Sequence, residues 1–405
     1  MERHPGDLPS AVRGHHRRVT HTGSRRSRGG RRVSLLAAGG AALAAVLASV
    51  AAAAAGPAGA APVPFLSHFS TVTAGPSTVP ANGDQNPYGV ANVPFSIGNL
   101  VGGDTLVSNF NSSNNTQGTG TTIMQVAPDG TVSTFAQLVP GALPGCRGIG
   151  LTTALTVLND GYVVVGALPV TMNGSGTPQT GCLIVLNSDG MPVETFSGNG
   201  INGPWDMTSV EMVGSFPEAE LFVTNVLNGT VAAAGAVVNH GSVLRLTVLE
   251  PPGKPPVLAS TQKIAGGFSE QLSSSALVLG PTGLALGHNG TTLYVADTVN
   301  SRIAAIPDAT TRTTTIFGGG LTLTQGGSLN APLGLATAPN GNLIAVNGND
   351  GNAVEVGPAG KQVFTMTIDR FNSGGDLFGL AIAPGGNGLL FVNDNGAANS
   401  LDLLD

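Results

Sequence analysis

Charge is scarce in this chain: Asp, Glu, Lys and Arg together make up 10% of its 405 residues. Aromatics are rarer still at 4%, with a single Trp (Trp205), and there are only two cysteines, Cys146 and Cys182. Two cysteines rule out a disulfide-dense scaffold, and their 36-residue separation matches no zinc-ligand spacing. Beyond residue 60 the only histidines are His68, His240 and His288, which fall in separate strands and turns. Such an arrangement argues against a three-His metal site or a His-dependent triad. Beyond residue 60 there are also only eight Lys or Arg against 21 acids, a net charge near -13. A surface this acidic excludes nucleic acid, where neutralised phosphates supply most of the affinity. No later stretch of about 20 apolar residues offers a membrane span.

The first 60 residues have a different composition, with nine Arg, no Lys and two acids. A basic region ends at Arg31-Arg32, an Ala/Leu run follows to about Ala55, and Ala58-Gly59-Ala60 supplies a small-residue cleavage site. This pattern predicts a twin-arginine-like export signal over 1-60, followed by one domain over 61-405 in an extracytoplasmic compartment. An ordinary secretory signal, an uncleaved N-terminal anchor and an organellar transit peptide are the alternatives.

What the remainder has in abundance is Gly and Pro, 60 and 27 in the whole chain, placed as punctuation between β-type runs. The stretch "PTGLALGHNGTTLYVADTVNSRIAAI" (281-306) recurs as "APLGLATAPNGNLIAVNGNDGNAVEV" (331-356) and again over 376-403. Apolar runs ending in Asn109, Asn225, Asp297, Asn347 and Asn393, with Gly166 filling one gap, are spaced 57, 59, 72, 50 and 46 residues apart. Each interval accommodates four short strands joined by Gly-centred turns such as Asp129-Gly130 and Asp189-Gly190. Six such units predict an all-β fold, a six-bladed β-propeller of four-stranded antiparallel blades. The last unit stops one strand short, so Phe65 to Thr73 is expected to supply the missing strand and close the ring.

The best-preserved unit, with Pro281-x-Gly283-Leu-Ala, Asn289-Gly290, "LYVAD" and Asn300-Ser-Arg302-Ile, resembles an NHL repeat. The resemblance is good over 281-403 and diffuse over 86-268, where only the spacing supports it. It implies a propeller, commonly of six blades, and a frequent role as an interaction platform.

In a propeller the connections into each first strand and between second and third strands open on one face. That face is expected to carry Asn109, Asn225, Asp297, Asn347 and Asn393, with Asp206 and Asp376 just before first strands. Oxygens converging on a channel suit a hard cation, Ca²⁺ or Mg²⁺, while the same residues also serve as Asx turns. The second-to-third connections are long in the first three units and short afterwards, which is where binding concentrates. Cys146 and Cys182 flank the long loop of the second unit, as a disulfide or as two separate thiols.

With no catalytic cluster legible, the expectation is a monomeric, non-catalytic scaffold binding a protein, glycan or small molecule on the long-loop face. The alternative is a metal-dependent hydrolase or lyase, similar to propeller lactonases and streptogramin lyases, using Asp206, Asn225, Asp297 and Asn347. No Glu heads a first strand as the lactonase resemblance would require. A channel carboxyl with a strongly raised pKa would favour the enzyme.

Overall fold

Six antiparallel sheets account for nearly all regular structure in the computed structural model. It describes residues 63-139, 141, 143-171, 176-212, 218-369, 371, 374-395 and 398-405. The expected leader, with Arg31, Arg32 and its cleavage site, lies outside these residues, as do positions 172-175 of the second long loop.

A short strand β1 (Val72–Thr73) precedes the blades. Blade 1 is β2 (Gln85–Asn92), β3 (Thr105–Asn111), β4 (Thr122–Val126) and β5 (Val132–Gln137). Blade 2 is β6 (Leu151–Val157), β7 (Val163–Ala167), β8 (Cys182–Leu186) and β9 (Pro192–Phe196). Blade 3 is β10 (Pro204–Met212), β11 (Glu218–Asn225), β12 (Val238–Leu249) and β13 (Val257–Ser273), extended by β14 (Leu277–Leu279). Blade 4 is β15 (Pro281–Leu286), β16 (Leu293–Asp297), β17 (Arg302–Ile306) and β18 (Leu321–Gln325). Blade 5 is β19 (Pro332–Thr337), β20 (Leu343–Asn347), β21 (Asn352–Val356) and β22 (Gln362–Thr367). Blade 6 is β23 (Leu377–Ile382), β24 (Leu389–Asn393) and β25 (Ser400–Leu404), completed by β1, which pairs antiparallel with β25. The six-bladed propeller and its closure by an N-terminal strand are therefore as expected.

Strands such as β11 are apolar on both faces because each blade packs against two neighbours. Leu221 and Val223 meet Val164, Leu183 and Val185 of blade 2, while the intervening Phe222 meets Leu293 and Val295 of blade 4. Alternation with period two thus feeds two separate cores from one strand.

The closing strand is shorter than expected. Leu66–His68 forms a 3₁₀ turn, and the backbone N–H groups of Phe65 and Leu66 donate to the buried Glu355 carboxylate at 2.7 and 2.8 Å. Asn340 and Asn342 donate to the same carboxylate from blade 5, so this charge is fully engaged by donors. The chain then bends towards blade 6, where Val72 and Thr73 pair with β25 and Ser77 adds one isolated bridge to Ser400.

The disulfide expected in blade 2 is present between Cys146 and Cys182, with Cα atoms 5.5 Å apart. It ties the segment before β6 to the first residue of β8 and so braces the base of the long loop.

Candidate active site

The first strands line the central channel, and their pairing with the second strands shifts register near the start in all six blades. At these points successive inner strands come very close. A Cβ at Gly334 would lie 2.1 Å from the Phe378 carbonyl oxygen, and one at Gly379 would lie 2.2 Å from that of Tyr88. Glycine is required there because no side chain fits between the strands.

By register, Pro204 pairs with Asn225 as Pro281 pairs with Asp297, which puts Asp206 at the position of Gly283. Asp206 therefore lies inside β10, the third residue of that strand, and not just before it as expected from the sequence. Its carboxylate bridges two blades. Oδ1 accepts from the Met207 N–H at 2.8 Å, and Oδ2 accepts from the Leu284 N–H of β15 at 2.8 Å. Its own N–H donates to Thr224 Oγ1 at 3.0 Å, and that hydroxyl donates to the Thr282 carbonyl at 2.8 Å. What surface Asp206 retains faces the channel interior. Burial pushes its carboxyl up to about 7, outweighing the two N–H bonds that favour the ionised form.

Asp206 forms part of the wall of a cavity of about 370 Å³. The other polar lining includes Asn92, Thr156, Thr208, Ser209 and Thr337, set among Leu155, Leu286 and Leu335. These residues occupy the later parts of first strands, so the cavity opens on the face opposite the long loops. On the long-loop side the channel is filled by stacked rings. Tyr88 lies 4.0 Å from Phe378, 4.4 Å from Phe110 and 5.2 Å from Trp205, centroid to centroid.

The remaining expected residues are buried and engaged in hydrogen bonds, some to their own turns and some to the segments before the first strands. Asn109 donates to the Thr78 carbonyl and Thr122, and Asn225 accepts from the Asn202 N–H. Asp297 takes Arg302 and Asn300, and Asn347 accepts from the Asn330 N–H while donating to Ser328 and Asp350. Asn393 accepts from the Asn395 N–H at 2.9 Å. Among the described residues, no group of three His, Cys, Asp or Glu side chains is placed to hold a metal ion. Calcium takes six to eight oxygens. Asp206, whose carboxylate already accepts two N–H bonds, is the one carboxylate among the described residues lining this cavity.

Three titrating groups escaped the sequence reading. Burial raises Glu270 to about 7, where it accepts from the Asn228 N–H at 2.9 Å. Burial and the neighbouring Asp376 raise Asp394 to about 7. Burial, then repulsion by Asp160 and Glu211, raises Glu250 to about 8. Nothing in local sequence marks them, because their neighbours arrive from distant segments.

No family model matches the chain, and no curated protein matches it by sequence. Among solved structures, a calcium-binding regucalcin from Agrobacterium tumefaciens shares the fold at 13% identity, covering 83% of this chain and 92% of that one, with a TM-score of 0.50. A gluconolactonase from Xanthomonas campestris is similar at 15% identity, covering 83% and 97%, with a TM-score of 0.49. A virginiamycin B lyase from Staphylococcus aureus follows at 12% identity, covering 81% and 97%, with a TM-score of 0.45. The chain thus shares its fold with that regucalcin.

The expectation of a non-catalytic scaffold working through its long-loop face is corrected at this point. The channel cavity that holds Asp206 opens on the face opposite the long loops. Its wall also carries a carboxyl poised near neutrality, which passive binding does not require.

Proposed function

We propose that the chain is a propeller hydrolase or lyase of lactonase-like type, acting in the channel cavity with Asp206 as its acid and base. The observation that carries this reading is the inter-blade carboxyl of Asp206, fixed by two N–H groups and raised to about 7 on the cavity wall. A carboxyl with that pKa is present in both forms at neutral pH, the condition under which proton transfer is most efficient. In the ionised form Asp206 takes a proton from water as the water oxygen bonds to the ester carbonyl carbon. As the ring C–O bond breaks, Asp206 returns that proton to the departing oxygen. Among the described residues no Lys, Arg or His lines the cavity, which favours an uncharged substrate.

The calcium-binding regucalcin of this fold makes Ca²⁺ the first cation to offer the protein. Among the described residues no second carboxylate joins Asp206 to hold it, and no step is routed through it. The proposal includes NHL-like repeats and export of a monomer, with 1-60 as the leader. The Cys146–Cys182 bridge supports an oxidising compartment.

The test is acid release from glucono-δ-lactone in a pH-stat, corrected for spontaneous hydrolysis, with wild type and Asp206→Asn side by side. Turnover by wild type that falls about 10²- to 10⁴-fold in the variant supports the reading. Equal rates in the two proteins, across a panel of uncharged lactones, would overturn it.

A further inference from the structure

The ring stack that fills the long-loop end of the channel contains two buried donors. Trp205 Nε1 is buried with no hydrogen-bond partner among the described residues, and Tyr88 Oη is buried with the Asn86 side chain as the one polar group acting on it as a hydrogen-bond partner. Both side chains are almost wholly enclosed, at 1% and 3% exposure. Buried donors left unpaired oppose folding.

Packed into the same cluster is a strained element. The hairpin joining β13 to β14 lays Ala276, Leu277 and Val278 into the same apolar cluster as Tyr88, Trp205 and Phe378. Leu277 has φ 59°, and the Val278 N–H closes a three-residue turn on the Ala276 carbonyl at 2.6 Å. A bulky residue in the left-handed region holds a conformation that its surroundings must impose. At its tip the hairpin is held to the opposite loop by Gln117 Nε2, which donates to the Ser274 carbonyl at 3.1 Å. Beside it lies a groove of about 400 Å³ lined by Leu272, Ser273, Ser274, Leu277, Thr116 and Gln117 among others. The hairpin has space to move into.

We propose that this hairpin is a lid over a second ligand site, whose floor is the Tyr88–Trp205–Phe378 stack. The ligand is a flat, uncharged ring carrying two acceptor oxygens, which replaces Leu277 on the stack. Its oxygens accept from Tyr88 Oη–H and Trp205 Nε1–H, while its faces lie against apolar rings. Charge is disfavoured: Asp394 lies close enough to Tyr88 to repel an anion, and a cation would meet two donors. The site is separate from the Asp206 cavity, which opens on the other face.

Trp205 is the only tryptophan, so its emission reports on this site alone. The probe is 4-pyranone, flat and uncharged, with a carbonyl and a ring oxygen and no ester to hydrolyse. Titrated into wild-type protein, it should change Trp205 emission saturably. Tyr88→Phe should bind it about tenfold more weakly, the loss of one hydrogen bond. Two results would overturn the proposal. One is a Trp205 emission that does not saturate with 4-pyranone. The other is a Tyr88→Phe variant that binds the probe as wild type does, whatever its melting temperature.

Discussion

Arg302 grips Asp297 through two donors on one oxygen: Nε at 2.8 Å and Nη2 at 2.6 Å from Asp297 Oδ2. The pair sits across β16 and β17, with Arg302 also donating to Thr322 Oγ1 and the Gly319 carbonyl, both at 2.9 Å. Both residues are buried, and Asn300 donates to each oxygen of the same carboxylate. The Asp that ends the second strand in the best-preserved repeat therefore anchors the third and fourth strands of its blade.

Removing one partner leaves the other charge buried and unpaired, so Arg302→Ala should lose about 3–5 kcal/mol of stability. Urea denaturation gives this directly. Pairing it with Asp297→Asn in a double-mutant cycle should return a coupling energy above about 1 kcal/mol; additive losses would show that the clamp carries no pairwise energy.

Asp206 gives a pH-dependent outcome. Its folded pKa, about 7, lies above the unfolded value, so its contribution is fully present below about pH 4 and is lost as pH rises through 7. Above that, the fold holds an ionised group it disfavours. Asp206→Asn should therefore be more stable than wild type at pH 8, by about 4 kcal/mol, and differ little at pH 4. Calorimetry at the two pH values decides it, and a variant less stable than wild type at pH 8 would refute the argument.

Glu250 should behave similarly at higher pH, for a different reason. Asn159 donates its N–H to Glu211 Oε1 at 3.0 Å, which brings that carboxylate to the edge between blades 2 and 3. Glu250 arrives there from the end of β12, 5% exposed and with Oε1 unpartnered. Stability contributed by its protonated form should fade as pH rises through about 8. Glu250→Gln should flatten the alkaline limb of the stability curve, and an unchanged limb in chemical denaturation at pH 9 would count against this.

Ring closure depends on Glu355 as much as on the two-residue pairing of β1. Glu355→Ala leaves the Phe65 and Leu66 N–H groups and two Asn side chains without their acceptor, a loss of about 2–4 kcal/mol. Hydrogen exchange should show β25 and β1 losing protection first, while β15 to β17 keep theirs.

The repeat pattern made the blades legible because each unit writes its strands and turns locally, as in Gly283-Leu-Ala followed by Asn289-Gly290. The closing strand was legible in kind but not in length, since Glu355, 289 residues from Leu66, captures the chain before it reaches blade 6. In blade 2 the residue paired with the start of the first strand is Ala167, one beyond the Gly166 that spacing selected. Asp206 was visible as a candidate, yet assigned to the wrong place. Superposing Pro204-Trp-Asp on Pro281-Thr-Gly would have put it in the channel. Its raised pKa could not be read in advance, because the strands that bury it come from other blades.

The central claim is that Asp206 titrates near neutrality within the channel. Carbon-13 NMR of aspartate side-chain carboxyls, with the Asp206 resonance assigned by its loss in Asp206→Asn, tests this most directly. The expected midpoint is near 7, matching the pH at which lactone turnover rises. A midpoint near 4, the ordinary value for an exposed aspartate, would contradict it and remove the acid–base role with it.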